Sequence, residues 1–301
     1  MQRQARQDEV PLQPFLKPLL LNQHPRIFIA GCGYTGERCA EFFCREGAAV
    51  TALVSSPGSR QRLSGKPYEI LVADAADPAM LEAALSRCGQ PDILIHCLSG
   101  KAGRDAAAYR VTYVATLRNL LASLHPKFCV FTGSTSVYTQ NDGSTVTEES
   151  ACGGTPTADV LLEAERIALA AGGAVVRLGG IYGPGRTRFI ESALERGTSP
   201  FGSPEAFINM IHRDDAARAL CHAGRSRLHG IYNAVDDHPA RRDDLAEDIR
   251  TDQPVRNAHL APATGKRVSN AKLRSSGWHP LYPSILDALH NDPDLAALRT
   301  Q

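Results

Sequence analysis

The chain has no surplus of charge of either sign, no long apolar run and no paired cysteines. Lys and Arg number 33 against 32 Asp and Glu, a formal net charge of +1 at pH 7. Bulk electrostatics therefore gives no attraction to nucleic acid, to an anionic bilayer or to an acidic partner. Apolar stretches such as Ala48–Val54 fall far short of the ~18 residues that a membrane-spanning helix needs, so no membrane segment is expected. The eight cysteines are scattered without any Cys-x-x-Cys pair, which predicts neither a metal site nor disulfides. They read as reduced, mostly buried thiols of a cytoplasmic protein. The first 25 residues carry Arg3 and Arg6, but their apolar part is broken by Lys17 and Pro18. That is too short and too interrupted for a signal peptide, and an N-terminal extension over 1–25, partly disordered or laid on the surface, is expected.

What is present is a repeating alternation. Short apolar, β-branched runs at Arg26–Ala30, Ala49–Val54, Glu69–Ala73, Asp92–Cys97, Lys127–Thr132 and Ala174–Leu178 read as strands. Helical patterns fill the gaps, which is the signature of βαβ units and a parallel sheet covered on both faces. The stretch Thr35–Glu46 reads as a helix capped by Thr35 and ended by Gly47. Val114, Leu117, Leu121 and Leu124 have the spacing of one buried helical face. After Leu178 the alternation fails, and a segment rich in Gly and Pro runs to Pro204. Strands are expected at Ile208–Ile211 and Gly230–Val235, with a helix at Asp214–Cys221 between them. The fold class is therefore α/β, a doubly wound parallel sheet with a small, mostly helical C-terminal substrate lobe. The expected division assigns 26–180 and 208–235 to the nucleotide-binding domain, and 181–207 and 236–301 to the substrate lobe.

The sharpest local signal is Gly31-Cys32-Gly33-Tyr34-Thr35-Gly36, placed directly after the first strand and opening the first helix. Gly31 permits a tight turn, Gly33 lets a pyrophosphate approach the backbone, and Gly36 lets helix and strand pack closely. That is the dinucleotide fingerprint of a Rossmann domain. An NAD site usually places an acidic residue about 20 residues further on, yet no Asp or Glu lies between Glu46 and Glu69. The second strand ends at Ser55, followed by Arg60, Arg62 and Lys66. A missing carboxylate beside arginines favours a 2′-phosphate, hence NADP over NAD, with Ser55 and Arg60 as its contacts.

The order of Gly31–Gly36, Asp74, Ile95-His96-Cys97, Gly133-Ser134-Thr135-Ser136-Val137-Tyr138 and Arg177 through Gly185 resembles the extended short-chain dehydrogenase/reductases. These form the NAD-dependent epimerase/dehydratase superfamily, and the chain is most similar to its atypical members. The resemblance implies that Asp74 and Ala75 lie by the adenine. It also implies that Cys97, Leu98 and Ser99 face the cofactor, and that Ser134 is the catalytic hydroxyl. Thr135, Tyr182 and Asn209 are then expected at a small-molecule substrate, and a homodimer stays open as a further expectation. One departure matters: the family's Tyr-x-x-x-Lys pair falls on Thr157 and Leu161, and no Tyr-x-x-x-Lys occurs anywhere in the chain. Neither residue can relay a proton near neutral pH. Tyr138 becomes a candidate proton donor, Arg177 a plausible ligand contact, and His212 a residue with a helix-start role. Two functions stay open: an NAD(P)(H)-dependent oxidoreductase or epimerase-like enzyme with a nonstandard proton donor, and an inactive NADP(H)-binding sensor.

Overall fold

The computed structural model describes residues 24–99, 105–253 and 262–300. The expected extension over 1–25 lies outside the described residues except for His24 and Pro25. Seven parallel strands form the central sheet. In chain order they are β1 (Arg26–Ala30), β2 (Ala49–Val54), β3 (Glu69–Val72), β4 (Ile93–His96), β5 (Cys129–Ser134), a sixth at Ala174–Leu178 and a seventh at Gly230–Ala234. Their spatial order is seventh, sixth, β5, β4, β1, β2, β3. The chain winds outward from β1 to β3 and then restarts on the other side of β1, pairing Ile27 with Ile93 and Ala30 with His96. The carboxyl ends of β1 and β4 therefore flank a topological switch point, where doubly wound sheets open a crevice.

Side-chain alternation along β1 explains the layering. Ile27 and Ile29 face α1 (Tyr34–Arg45) and the helix Arg213–Arg225, and are buried with Phe43, Ala217, Leu220 and Cys221. Phe28 and Ala30 face the opposite layer, where Leu117, Leu120, Leu124, Val160, Ala164 and Ala168 close the core. Of the four apolar positions predicted to share one helical face, Val114, Leu117 and Leu124 are buried, and Leu120 replaces Leu121. The α1 expectation needs one correction: the helix starts at Tyr34 with Gly33 as its N-cap and no side-chain cap. Thr35 is instead buried inside the first turn. Gly47, at φ +81°, ends the segment as expected.

A third apolar cluster joins Tyr182, Phe189 and Ile190 to Leu245, Ile249, Ile285 and Leu289. The helices Arg188–Arg196, Arg242–Thr251 and Ile285–Asn291 supply it. This part also carries a small sheet of Ala206–Ile208, Ala240–Arg241 and Thr264–Gly265, which strands of two or three residues are too short to announce by periodicity. The strand expected at Ile208–Ile211 is two strands, Ala206–Ile208 and Met210–His212. Asn209 separates them because its amide is spent on the neighbouring chain: Nδ2 donates to the Lys266 carbonyl at 2.9 Å and Oδ1 accepts from the Val268 N–H at 2.7 Å.

Candidate active site

The glycine loop can be tested atom by atom. Gly31 has φ +92°, and a Cβ there would lie 2.6 Å from the Cys97 carbonyl oxygen. A Cβ on Gly36 would lie 2.2 Å from the Gly31 carbonyl oxygen. At Gly33 nothing lies within 4 Å. Two of the glycines are thus demanded by the protein's own backbone, whereas the middle one opens onto the groove. The adjoining N-terminus of α1 carries no side-chain cap, and its dipole and first-turn N–H groups suit an anion.

From this loop runs a groove of about 790 Å³. Ser55, Ser59 and Arg62 line one wall; Asp74, Ala75 and Ala76 line its far end; Cys97, Leu98 and Ser99 line the β4 side. The Asp74 turn is fixed twice: its Oδ1 accepts from the Ala76 N–H at 2.9 Å, and Asn119 Nδ2 donates to the Ala75 carbonyl at 3.0 Å. Burial pushes the Cys97 thiol up to about 12, which favours its neutral form.

Charges on α1 crowd the same groove. Arg38 holds Asp214 through two bonds of 2.8 and 2.6 Å and also meets Glu41. Lys66 bridges Glu41 at 2.6 Å and Glu37 at 3.0 Å. Arg62 pairs with Glu37 and donates to the Cys32 carbonyl at 3.0 Å. Of the two arginines expected to follow Ser55 as basic contacts, Arg60 is exposed and does not line the groove, a correction to its expected role, whereas Arg62 does line it. In the six-residue helix Pro57–Arg62 the two arginines are two apart and so face different directions.

Beyond Gly33 and Tyr34 the groove continues into a smaller pocket of about 230 Å³. Ser134 stands there at the end of β5. Its hydroxyl accepts from the Ser136 N–H at 3.2 Å and donates to Ser136 Oγ at 2.9 Å, so it caps the following turn as well as facing the cavity. Leu161, the residue that the resemblance aligns with the family's lysine, lines the pocket, while Thr157 is not among its lining residues. Two lining tyrosines escaped the sequence reading. Tyr109 and Tyr113 pack edge to face at 5.2 Å, and Tyr113 belongs to a π-helical segment, Arg110–Ala115. Such widened turns recur at functional sites, but nothing in the residue pattern marks one. Arg186 also lines the pocket, its guanidinium 4.1 Å above the Tyr34 ring.

The remaining expected residues are engaged elsewhere. Tyr138 is buried and donates to Asn233 Oδ1 at 2.7 Å; burial pushes its phenol up to about 12. Tyr182 is buried too, its hydroxyl donating to the Ser284 carbonyl at 3.3 Å, and burial raises its pKa. Thr135 donates to the Leu178 carbonyl at 3.3 Å and Asn209 pins the Lys266–Val268 chain. None of the four is among the residues lining either cavity. Arg177 is not a ligand contact either: it is 2% exposed and forms a two-bond pair with buried Glu165, at 2.9 and 2.7 Å. His212 caps the helix Arg213–Arg225, its Nδ1 accepting from the Asp214 N–H at 3.2 Å. Among the described residues no cluster of His, Cys, Asp or Glu has the makings of a metal site, and no helix is long and apolar enough to cross a membrane.

A parallel sheet with this strand order, a glycine cradle at its switch point and a serine at the end of β5 defines a dinucleotide-dependent α/β enzyme. The family model of the NAD dependent epimerase/dehydratase family matches residues 27–234. The chain belongs to that family. Similar solved structures include a Methylobacillus flagellatus protein classed with the NAD-dependent epimerase/dehydratases, at 28% identity and TM-score 0.74, covering 92% of this chain and 99% of that one. UDP-glucose 4-epimerase from Thermotoga maritima, with UDP-glucose, has 18% identity and TM-score 0.70, covering 92% and 100%. UDP-glucuronic acid 4-epimerase from Bacillus cereus, in complex with NAD, has 18% identity and TM-score 0.68, covering 91% and 99%. These last two share the fold. No curated protein matches the sequence.

Proposed function

We propose that this chain is a cytoplasmic NAD(P)(H)-dependent oxidoreductase or epimerase-like enzyme that acts on a small polar molecule beside Ser134, with NADP(H) preferred. The observation that supports it most is continuity: Gly33, Tyr34, Cys97, Leu98 and Ser99 line both the long groove and the small pocket. The groove's residues suit a nicotinamide dinucleotide. The open face of Gly33 and the uncapped α1 would hold its phosphates, the Asp74–Ala76 turn its adenine, and Ser134 would adjoin its reactive ring. When bound, the cofactor supplies the hydride donor or acceptor.

The chain's own residues do the rest. Ser134 redirects its O–H from Ser136 to the substrate oxygen, which leaves the Ser136 hydroxyl to solvent at little cost. Tyr138 is turned away and Tyr34 donates to the Pro184 carbonyl at 3.0 Å, so of the pocket's two other tyrosines, Tyr109 and Tyr113, we assign the proton step to Tyr113, carried on the π-helical segment. A pocket of about 230 Å³ lies below the roughly 300–1,000 Å³ of drug-sized ligand sites, which favours a substrate much smaller than a nucleotide sugar. The preference for NADP(H) rests on Ser55 and Ser59 with Arg62, and sharing Arg62 with Glu37 makes it small. The test is a panel of aldehydes, ketones and 2-oxo acids incubated with 4-deuterated NADPH or NADH and read by mass spectrometry. Label should enter at least one product and be lost in Ser134→Ala. Cofactor binding with no transfer to any compound, together with a redox-dependent protein partner in pull-downs, would instead support a sensor.

A further inference from the structure

Among the described residues lining the pocket beside Ser134, Arg186 carries the only formal charge. It sits on the turn closed by the Arg186 N–H donating to the Gly183 carbonyl at 2.8 Å, and stacks on Tyr34 of the glycine loop. The other arginines near the groove are ion-paired: Arg38 with Asp214 and Glu41, Arg213 with Asp214, Arg62 with Glu37. No ion pair among the described residues includes Arg186. An unpaired guanidinium beside a reacting centre, with no carboxylate among the described lining residues to oppose it, is a recognition element for an anion. Its planar fork matches a carboxylate through two parallel bonds.

We propose that the substrate of this pocket is a small carboxylate, such as a 2-oxo or 2-hydroxy acid, held by Arg186 with its reacting carbon at Ser134. This rests on reading the pocket as the substrate site. A small volume favours a carboxylate over a larger phosphorylated compound, and a single cation favours one negative charge over two. Calorimetry tests it on dead-end complexes that cannot turn over, protein saturated with NADP+ for the 2-oxo acids and with NADPH for lactate. Glyoxylate, pyruvate, 2-oxobutyrate and lactate would each be titrated against its own primary amide, which keeps the shape and removes the charge. At least one acid should bind about tenfold tighter than its amide, a difference of about 1.4 kcal/mol. Arg186→Gln should erase that preference while leaving NADPH affinity within about threefold, since the side chain is exposed and its loss opens no cavity. If no acid is preferred over its amide, the proposal fails. It also fails if Arg186→Gln weakens NADPH as much as the acids, for Arg186 would then serve the cofactor's phosphates. An acid held through Arg186 with no deuterium transfer would reject the hydride-transfer reading alone, and transfer only to neutral carbonyl compounds would reject the carboxylate alone.

Discussion

The two ends of the groove are built by different means. At the dinucleotide end, the fit depends on backbone: Gly31, Gly33 and Gly36 are spaced so that two clear the protein and one faces the ligand. At the substrate end, the lining converges as side chains from separate segments: Tyr113 from a π-helical turn, Ser134 from β5, Leu161 from the helix Pro156–Ala170 and Arg186 from a loop. A site made of backbone changes little as side chains drift. A site made of side chains can lose its tyrosine and lysine and be refitted around what remains.

The frame beneath both ends should give the largest effect. Glu165→Leu strands the buried Arg177 guanidinium, and loss of one partner from such a pair costs about 3–5 kcal/mol. Denaturant unfolding should show this, with much of it recovered in a Glu165→Leu, Arg177→Met double variant. A single variant within about 1 kcal/mol of the parent would mean that the pair does not hold β5, the sixth strand and the helix together.

The sheet beneath the groove should respond to acid. His96 is fully buried beside Cys97, its Nε2 bonded to Thr116 Oγ1 at 2.8 Å, and desolvation lowers its pKa to about 4. Its ordinary value is about 6.5, so the unfolded chain takes up the proton first as pH falls. The stability it contributes is complete above pH ~6.5 and is lost progressively down to pH ~4, by about 3 kcal/mol. Chemical denaturation at several pH values should show a shallower acid loss in His96→Asn than in the parent. Identical slopes would remove His96 from the account.

Within the loop, Gly36→Ala meets the Gly31 carbonyl and should cost about 1–3 kcal/mol of stability. Gly33→Ala meets nothing, so its melting temperature should stay that of the parent while cofactor affinity falls about tenfold or more, ~1.4 kcal/mol. Thermal melts beside cofactor titrations separate the two, and matched losses of stability would show that Gly33 serves the fold.

The smallest effect is expected in cofactor choice. NADPH should bind less than about tenfold tighter than NADH. Glu37→Gln should widen that gap by releasing Arg62, and Arg62→Ala should close it. Arg60→Ala should leave it alone. A preference for NADH in the parent would overturn the assignment.

The same contrast explains what could be read from the chain before its fold was known. Gly31 to Gly36, the strand apolar runs and the loss of Tyr-x-x-x-Lys are local patterns, and local patterns survive in sequence. Leu161 in place of lysine was legible for that reason. Tyr113 and Arg186 were not, since one depends on a π-helical turn and the other on a loop folding back over Tyr34. The resemblance places Tyr182 and Asn209 at the substrate, and the missing pair leaves Tyr138 as a candidate proton donor. Their partners, Asn233, Ser284 and the Lys266–Val268 chain, come from distant segments that no spacing rule links.

The central mechanistic proposal is that Tyr113, and not a residue of the helix Pro156–Ala170, delivers the proton. It is tested most directly by measuring turnover of Tyr113→Phe and Thr157→Val side by side, on whichever compound accepts the deuterium label, with cofactor affinity checked in each. The account predicts that Tyr113→Phe loses about 10²-fold or more in kcat, ~2.7 kcal/mol, with cofactor binding intact, and that Thr157→Val stays within about tenfold. A folded Thr157→Val protein without turnover, beside a Tyr113→Phe protein that keeps it, would contradict it.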